Sequence, residues 1–449
     1  MSNIAGFCYF LSNCWANYTQ VLPKTITFVA CNVNIVGFFI PYQKPTKRYH
    51  IRTLSITFQK SNMQQIATAQ RLQTVEEYYF SIKLAQIRQM NEAGKAVINL
   101  GIGSPDLPPH PSVIAALHQT AQQSNTHGYQ SYTGIPALRQ AMAAWYWRIY
   151  GVELSPDKEI LPLMGSKEGI VHISLAYLNP DDTVLVPNPG YPTYTSASQL
   201  CQANIVSYPL LAEQQWQPDW AYLEQIDLSR AKIMWVNYPN MPTGANANLQ
   251  LFEKLVAFAH QHQLLLVNDN PYSQILNPSP MSIFQVDGAK EVALELNSLS
   301  KSYNMAGWRV GMLCGNATAL QNVLKVKSNM DSGMFLGIQQ AAIQALQLPQ
   351  TWQEQQDKIY TERRQKAYQI VATLGCSYDP QQTGMFVWAK LPDSITNATQ
   401  FVDHILEQAH VFITPGSIFG SEGSRYIRLS LCSTAETFET ALQRIQQLL

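Results

Sequence analysis

Short apolar runs alternate with longer amphipathic segments along most of the chain. Seven of these runs, each five or six residues long, are rich in β-branched and other apolar residues and are separated by segments with helical spacing. They cover residues 159–164, 183–187, 204–208, 232–237, 264–269, 292–297 and 310–315. Strands that alternate with helices usually form a mostly parallel sheet covered on both faces. The pattern therefore predicts an α/β fold with a seven-stranded, mostly parallel sheet.

Helical spacing is clearest in four segments. They cover residues 76–94, 136–150, 313–347 and 351–374. In the first of them, Phe80, Leu84, Ile87 and Met90 recur every three or four positions and form one apolar stripe, which stops before Gly94. A proline between the last two segments predicts a break there, because proline cannot continue a helix.

The order of these elements divides the chain into a large domain, a smaller domain and an N-terminal extension. Residues 108–347 hold the seven strands and form the predicted large domain. Residues 63–107 and 348–449, which contain further strand-like and helical runs, together predict a smaller α/β domain.

Residues 1–62 form the extension, whose composition differs from that of the rest of the chain. They contain six Lys and Arg but no acidic residue, and their apolar run at 28–40 is too short to cross a membrane. The first Lys, at position 24, comes too late for a signal peptide. We favour a start codon assigned upstream of Met63, which would leave 387 residues. A targeting or interaction extension is the alternative.

Charge and cysteine content narrow the class of protein. The net charge is zero, and the chain after residue 62 holds 24 basic and 30 acidic residues, which argues against a nucleic-acid-binding surface. The seven cysteines show no C-x-x-C or Cys/His metal spacing. We therefore expect a cytoplasmic protein without a metal site or a membrane segment.

Three motifs directly follow predicted strands. Ligands of parallel sheets bind beyond the carboxyl ends of the strands, so these positions favour a binding site. The GSKEG motif at 165–169 opens a helix, whose first N–H groups and dipole stabilise a phosphate. PGYPTY at 189–194 places aromatic rings after the next strand, and Asp269 ends the apolar strand at 264–269.

The stretch SLSKSYNMAGWRVG at residues 298–311 carries the strongest chemical signal. The Lys301 amine can form a Schiff base with a phosphorylated aldehyde, whose phosphate the hydroxyls of Ser298 and Ser300 and the guanidinium of Arg309 can hold. The same stretch also fits the S-x-x-K motif of serine β-lactamases. Their partner motifs, S-D-N and K-T-G, do not occur in the chain.

This stretch resembles the pyridoxal phosphate lysine motif of class I/II aminotransferases, S-x-S-K-x-x-x-M-x-G-x-R-x-G. Further matches to that family follow in the expected order at residues 101–108, 128–139, 237–244, 267–272 and 425–431. The resemblance extends from about residue 70 to the C-terminus. It implies a fold type I pyridoxal phosphate enzyme that moves an amino group between an L-amino acid and a 2-oxo acid.

The resemblance also implies a role for each matching residue. Lys301 would bind pyridoxal 5'-phosphate and move the substrate proton, Asp269 would pair with the ring nitrogen, and Tyr272 would contact the ring phenolate. The remaining cofactor contacts would come from Gly165, Ser166, Lys167, Tyr191, Ser298, Ser300 and Arg309. Arg428 and the loop at Gly103 would bind the substrate. Tyr129 would reach the cofactor phosphate of a neighbouring subunit, which implies a homodimer.

One position departs from the family pattern. Residues 237–244, NYPNMPTG, place Met241 where the family has an asparagine that hydrogen-bonds the cofactor phenolate. Methionine offers only a weak sulfur acceptor and no donor. Tyr272 would then hold that oxygen alone, or Asn237 or Asn240 would replace the missing amide.

The change at 241 keeps C–S lyase, decarboxylase and synthase reactions open, since these enzymes share the same apparatus. A cofactor-dependent DNA-binding regulator is disfavoured, because residues 1–62 lack a basic recognition helix. The sequence does not select the substrate side chain. No second arginine that would mark a dicarboxylate substrate is identifiable, and residues 327–334, near the expected subunit contact, carry Lys and Met instead.

Overall fold

The computed structural model describes residues 25–30, 33–38, 66–75, 77 and 79–449. The chain divides into two units, Met1–Thr68 and Ala69–Leu449. In the first unit, strands β1 (Thr25–Ala30) and β2 (Val33–Phe38) pair antiparallel. The rest of the predicted extension lies outside the described residues. Among the helices of the described part, none has the length and apolar character needed to cross a membrane.

The second unit alternates strands and helices. Its strands are β3 (Ile98–Asn99), β4 (Ile160–Leu163), β5 (Thr183–Asn188), β6 (Asn204–Pro209), β7 (Ala231–Val236), β8 (Leu265–Asp269), β9 (Ala293–Ser298), β10 (Gly311–Gly315), β11 (Ser377–Tyr378), β12 (Phe386–Lys390), β13 (Val411–Phe412), β14 (Thr414–Pro415) and β15 (Tyr426–Ser430). Its helices are α1 (Tyr79–Glu92), α2 (Pro111–Ala121), α3 (Pro136–Tyr150), α4 (Ser166–Tyr177), α5 (Pro192–Leu200), α6 (Trp220–Leu223), α7 (Leu249–His262), α8 (Ala289–Val292), α9 (Leu299–Ser302), α10 (Ala317–Met330), α11 (Leu336–Leu346), α12 (Gln350–Thr373), α13 (Ala398–Ala409) and α14 (Ala435–Leu448).

The main sheet has seven strands in the order β4-β10-β9-β8-β7-β5-β6. All pairings are parallel except those of β10, which runs antiparallel to both neighbours. The prediction of a seven-stranded, mostly parallel sheet is therefore confirmed, and each strand lies within one residue of its predicted bounds. The strands are apolar on both faces because helices cover both sides.

The helix predictions hold for three of the four segments. The helices observed for the first, second and fourth are α1, α3 and α12. A single helix over residues 313–347 is wrong, because that segment contains most of β10, then α10 and α11 with a break between them. The break contains Gly333, which pairs with Gln130 and lies so close to Ser131 that a side chain there would collide with the backbone.

A second sheet carries the C-terminal part of the chain. It has the order β11-β12-β15-β14 and is antiparallel, while β3 pairs separately with β13. Helices α12, α13 and α14 pack together, and a separate hydrophobic core includes residues of this sheet and of all three helices. The domain boundaries at residues 62, 107 and 347 remain predictions.

A buried charge cluster joins α4 to α10. Lys327 is only 2% exposed, and its Nζ lies 3.0 Å from Glu168 Oε1 and 2.8 Å from Asp331 Oδ1. His172 Nε2 lies 2.9 Å from the same oxygen of Glu168. Burial opposes ionisation of Glu168, but its hydrogen bonds and the charge of Lys327 outweigh this and lower its pKa to about 2. Lys327 is thus an internal ion-pair residue of its own chain.

Replacing Lys327 with methionine is expected to lower the free energy of unfolding by about 3–5 kcal/mol, because two carboxylates would lose their buried counter-charge. Urea unfolding of both proteins measures the difference. Lys325→Met is the matched control, since Lys325 is exposed on the same helix. A Lys327→Met protein as stable as this control would contradict the expected role of the cluster.

Candidate active site

A cleft of about 700 Å³ lies at the edge of the main sheet where β4, β5, β7, β8 and β9 end. Its lining includes most of the predicted site residues, namely Gly103, Ser166, Lys167, Tyr191, Asp269, Tyr272, Ser298, Ser300, Lys301, Arg309 and Arg428. This is the edge at which parallel sheets bind their ligands.

Lys301 enters the cleft from the short helix α9, directly after β9. The hydroxyl of Ser298 caps this helix by accepting a hydrogen bond from the Ser300 N–H at 3.1 Å. The Lys301 amine donates to the Gly103 carbonyl at 2.6 Å. Burial lowers the pKa of Lys301, and the nearby positive charges of Arg428 and Arg309 contribute in the same direction. A lowered pKa increases the share of neutral amine, the form that attacks carbonyl carbon.

Asp269 is the last residue of β8 and is buried. Its Oδ2 accepts a hydrogen bond from the Tyr194 hydroxyl at 2.9 Å, while its Oδ1 is buried and has no hydrogen-bond partner. Burial raises the pKa of Asp269 to about 7, although the hydrogen bond from Tyr194 opposes the rise. A buried carboxylate oxygen without a partner is suited to a cationic N–H donor.

The start of α4 and Arg309 form an anion-binding corner. Gly165 precedes the helix with φ +87°, and a side chain at this position would collide with the guanidinium of Arg309. Arg309 Nη1 lies 3.4 Å from the Ser300 hydroxyl. The first N–H groups of α4 have no partner within the helix, so they and the helix dipole favour a phosphate beside Ser166. Gly165 is not among the lining residues, and its lack of a side chain leaves space for Arg309.

Arg428 lies on β15 and reaches the cleft from the second sheet. Its Nη2 donates to the Gly101 carbonyl at 2.8 Å, and its Nη1 donates to Met241 Sδ at 3.2 Å. The ring centroids of Phe386 and Phe419 lie 4.0 and 4.6 Å from the guanidinium carbon of Arg428. These contacts hold a planar group that can bind a carboxylate through two hydrogen bonds.

The two asparagines near Met241 differ in their hydrogen bonds and in their position relative to the cleft. Asn237 accepts a hydrogen bond from the Met241 N–H and donates to the backbone carbonyl of Asp269. Asn240 accepts from the N–H and the hydroxyl of Thr243, and its buried Nδ2 has no hydrogen-bond partner, but Asn240 does not line the cleft. These contacts favour Tyr272 over either amide as the group that holds the phenolate oxygen.

Tyr129, like Gly165, is a predicted site residue that does not line the cleft. It is 94% exposed in the single chain, on the loop before α3. The adjacent residue, Gln130, pairs with Gly333 and so fixes the loop against the break between α10 and α11. An exposed tyrosine held in this way remains available to a second copy of the chain.

The cleft therefore combines an amine, a buried carboxylate, an anion-binding corner and an arginine. The partnerless Oδ1 of Asp269 and the tight approach of Arg309 to Gly165 fit a phosphorylated aldehyde that carries a basic ring nitrogen. The family model for aminotransferases of class I and II matches residues 95–445.

The chain belongs to this family. It is 40% identical over 379 residues to an LL-diaminopimelate aminotransferase of Dehalococcoides mccartyi, a match that covers 84% of this chain and 97% of the relative. An LL-diaminopimelate aminotransferase of Moorella thermoacetica is also 40% identical, over 85% of this chain and 98% of its own length. The apo-BacF structure from Bacillus subtilis superposes with a TM-score of 0.81 at 37% identity, covering 86% of this chain and 98% of that one.

These comparisons confirm the predicted fold and activity. The protein is a fold type I, pyridoxal phosphate-dependent aminotransferase that moves an amino group between an amino acid and a 2-oxo acid. The β-lactamase alternative and the regulator alternative are thereby excluded as main activities.

The aminotransferase cleft also contains residues that the sequence motifs did not reveal. Tyr194 donates to Asp269 and stacks on the Trp235 ring, with centroids 5.0 Å apart. Its only signal was its place at the end of the PGYPTY motif, three residues after Tyr191. Leu84, expected within an apolar stripe, is instead 41% exposed and lines the rim of the cleft.

Proposed function

We propose that Lys301, Asp269 and Tyr272 form the catalytic core of this aminotransferase. The observation that carries this assignment is that Asp269 lines the same cleft as Lys301 while its buried Oδ1 has no hydrogen-bond partner in the protein. An anionic carboxylate there would keep a ring nitrogen protonated, and a protonated ring is the electron sink that the bound cofactor supplies.

The other lining residues would orient the two bound molecules. Ser166, Lys167, Ser298, Ser300 and Arg309 would hold the phosphate at the start of α4, with Gly165 leaving space for Arg309. Tyr191 would pack on the ring, and Tyr272 would donate to its phenolate oxygen. Arg428 would fix the substrate carboxylate beneath the Gly103 loop, so that the Cα–H bond points toward Lys301.

Lys301 would serve as both the covalent anchor and the base. After substrate displaces it, the neutral amine can take the proton from Cα, and the resulting ammonium can return it at a neighbouring carbon. The lowered pKa of Lys301 suits this exchange, because burial and two arginines disfavour the charged form.

We also infer that the enzyme is a homodimer in which Tyr129 of each chain reaches the cofactor phosphate of the other. Support comes from the high exposure of Tyr129 and from the Gln130–Gly333 pairing that holds its loop.

Of the described residues, Cys201, Cys314, Cys376 and Cys432 are unpaired thiols, which supports a reducing compartment such as the cytoplasm.

Borohydride reduction of the purified, coloured protein tests the assignment. Reduction should fix the cofactor to one peptide, and mass spectrometry should place it on Lys301. Light scattering of the same sample should give twice the mass of one chain. A label on any other lysine would overturn the assignment. Keto acid formed without an acceptor, together with released ammonia or sulfide, would instead favour lyase chemistry.

A further inference from the structure

Apolar side chains form a wall of the cleft beside Arg428. Helix α1 contributes Phe80 and Leu84, which are four residues apart and share one helix face, and also the uncharged Ser81. Ile102 and Phe386 extend the wall from the loop after β3 and from β12. The Phe80 ring lies 5.6 Å from the guanidinium carbon of Arg428, so this wall begins where a substrate carboxylate would bind.

Five charged side chains of the described residues line the cleft. They are Lys167, Asp269, Lys301, Arg309 and Arg428. Under the proposed function, each of them binds the cofactor or the carboxylate next to the reacting carbon. Within that lining, no acidic or basic side chain is therefore left to pair with a charged group at the far end of a substrate.

The loop that a second copy would contribute does not supply such a charge either. Residues 127–134, which include Tyr129, contain no Asp, Glu, Lys or Arg. His127 stacks on Phe335, with ring centroids 5.8 Å apart and planes 15° from parallel. Asp331, on the segment beside this loop, is already paired with Lys327 at 2.8 Å.

We propose that the amino donor of this enzyme carries an uncharged apolar side chain, aromatic or long aliphatic. This inference rests on the proposed function and names its substrate class. LL-diaminopimelate, which appears in the names of the relatives, carries a second ammonium and a second carboxylate at its far end. Both groups would lose water against Phe80, Leu84 and Ile102 without gaining a counter-charge, which disfavours binding.

The proposed donor class can be tested in the first half-reaction, in which the donor transfers its amino group to the cofactor. This half-reaction requires no 2-oxo acid acceptor. The cofactor-loaded enzyme is mixed with one donor at a time, and the loss of the aldehyde absorption band gives a second-order rate constant. The donors are L-phenylalanine, L-leucine, L-methionine, L-glutamate, L-lysine and LL-diaminopimelate. We expect the best apolar donor to exceed every charged donor by at least about 100-fold, as a site without polar partners discriminates against unpaired charge.

The three outcomes separate the two proposals. An apolar preference of that size supports the inference. A rate with LL-diaminopimelate or L-glutamate that equals or exceeds the best apolar rate overturns it and leaves the aminotransferase activity intact. A cofactor found on Lys301 that no donor converts would overturn the proposed catalytic assignment itself.

A substitution at Leu84 tests whether the apolar wall contacts the substrate side chain. Leu84→Lys places a positive charge at the rim, and we expect the ratio of the L-glutamate constant to the L-phenylalanine constant to rise by at least about ten-fold. Ile82→Lys is the matched control, because Ile82 is 51% exposed on the opposite face of the same helix and does not line the cleft. A folded Leu84→Lys enzyme whose ratio matches that of Ile82→Lys would show that Leu84 does not face the substrate side chain.

Discussion

Replacing Lys301 with alanine is expected to lower kcat by at least about 10⁴-fold, because the covalent anchor and the proton-transferring base are lost together. The Lys301 amine donates to the Gly103 carbonyl at 2.6 Å, and Lys301 lines the cleft together with Asp269 and Arg428. Steady-state assays with saturating donor and acceptor measure the change. The absorption band of the Lys301-linked cofactor should also disappear.

A small amine added to the Lys301→Ala enzyme gives a second readout. Methylamine can enter the space left by the side chain and accept the proton from Cα, so the rate should rise with its concentration. Lys95→Ala, at an exposed position outside the cleft, should retain full activity. Undiminished turnover by Lys301→Ala would mean that another group forms the Schiff base.

Replacing Asp269 with asparagine is expected to lower kcat by at least about 10³-fold, because a neutral amide cannot hold a ring nitrogen in its cationic form. Asparagine has nearly the same shape, so the packing around β8 should persist. Tyr194→Phe should cost much less, since it removes only the hydrogen bond to Oδ2. Equal losses in the two variants would indicate that the hydrogen bond, and not the negative charge, is the important feature.

The same residue should make the stability of the cofactor-free enzyme depend on pH. Burial raises the pKa of Asp269 from 3.8 to about 7, so the folded protein holds a proton that the unfolded chain has released. The stabilising contribution of the protonated acid is fully present below pH 3.8 and is lost as the pH rises toward 7. For a difference of about three pKa units, the loss reaches roughly 4 kcal/mol. Asp269→Asn should remove this part of the pH dependence in urea unfolding experiments.

The main sheet could be predicted from sequence because its strands are short, apolar and separated by amphipathic helices. Strand β8 shows the principle, since a continuous apolar run ends in one carboxylate at the site. The break after α10 could not be predicted, as it depends on contact between Gly333 and a loop some 200 residues earlier in the chain. The spacing of apolar residues within 313–347 gives no indication of that contact.

The site was predictable where a motif fixes the chemistry of a residue and was missed where only position matters. Lys301, Arg309 and Asp269 belong to local patterns whose residue types match a phosphorylated aldehyde. The motif that contains Tyr194 and the apolar stripe that contains Leu84 do not reveal their place in the site, because Tyr194 acts through Asp269 and Leu84 lies at the rim through the packing of α1. The proposed role of Tyr129 requires a second chain, because Tyr129 would reach the cofactor phosphate of a neighbouring subunit.

The contact between Met241 and Arg428 makes the proposed carboxylate-binding arginine sensitive to oxidation of Met241. A thioether that lines an open cleft can be oxidised to a sulfoxide, which converts a weak acceptor into a strong, polar one. The new oxygen would lie against the guanidinium and compete with the incoming carboxylate for the same N–H donors. Exposure to peroxide should therefore weaken donor binding, and methionine sulfoxide reductase should restore it.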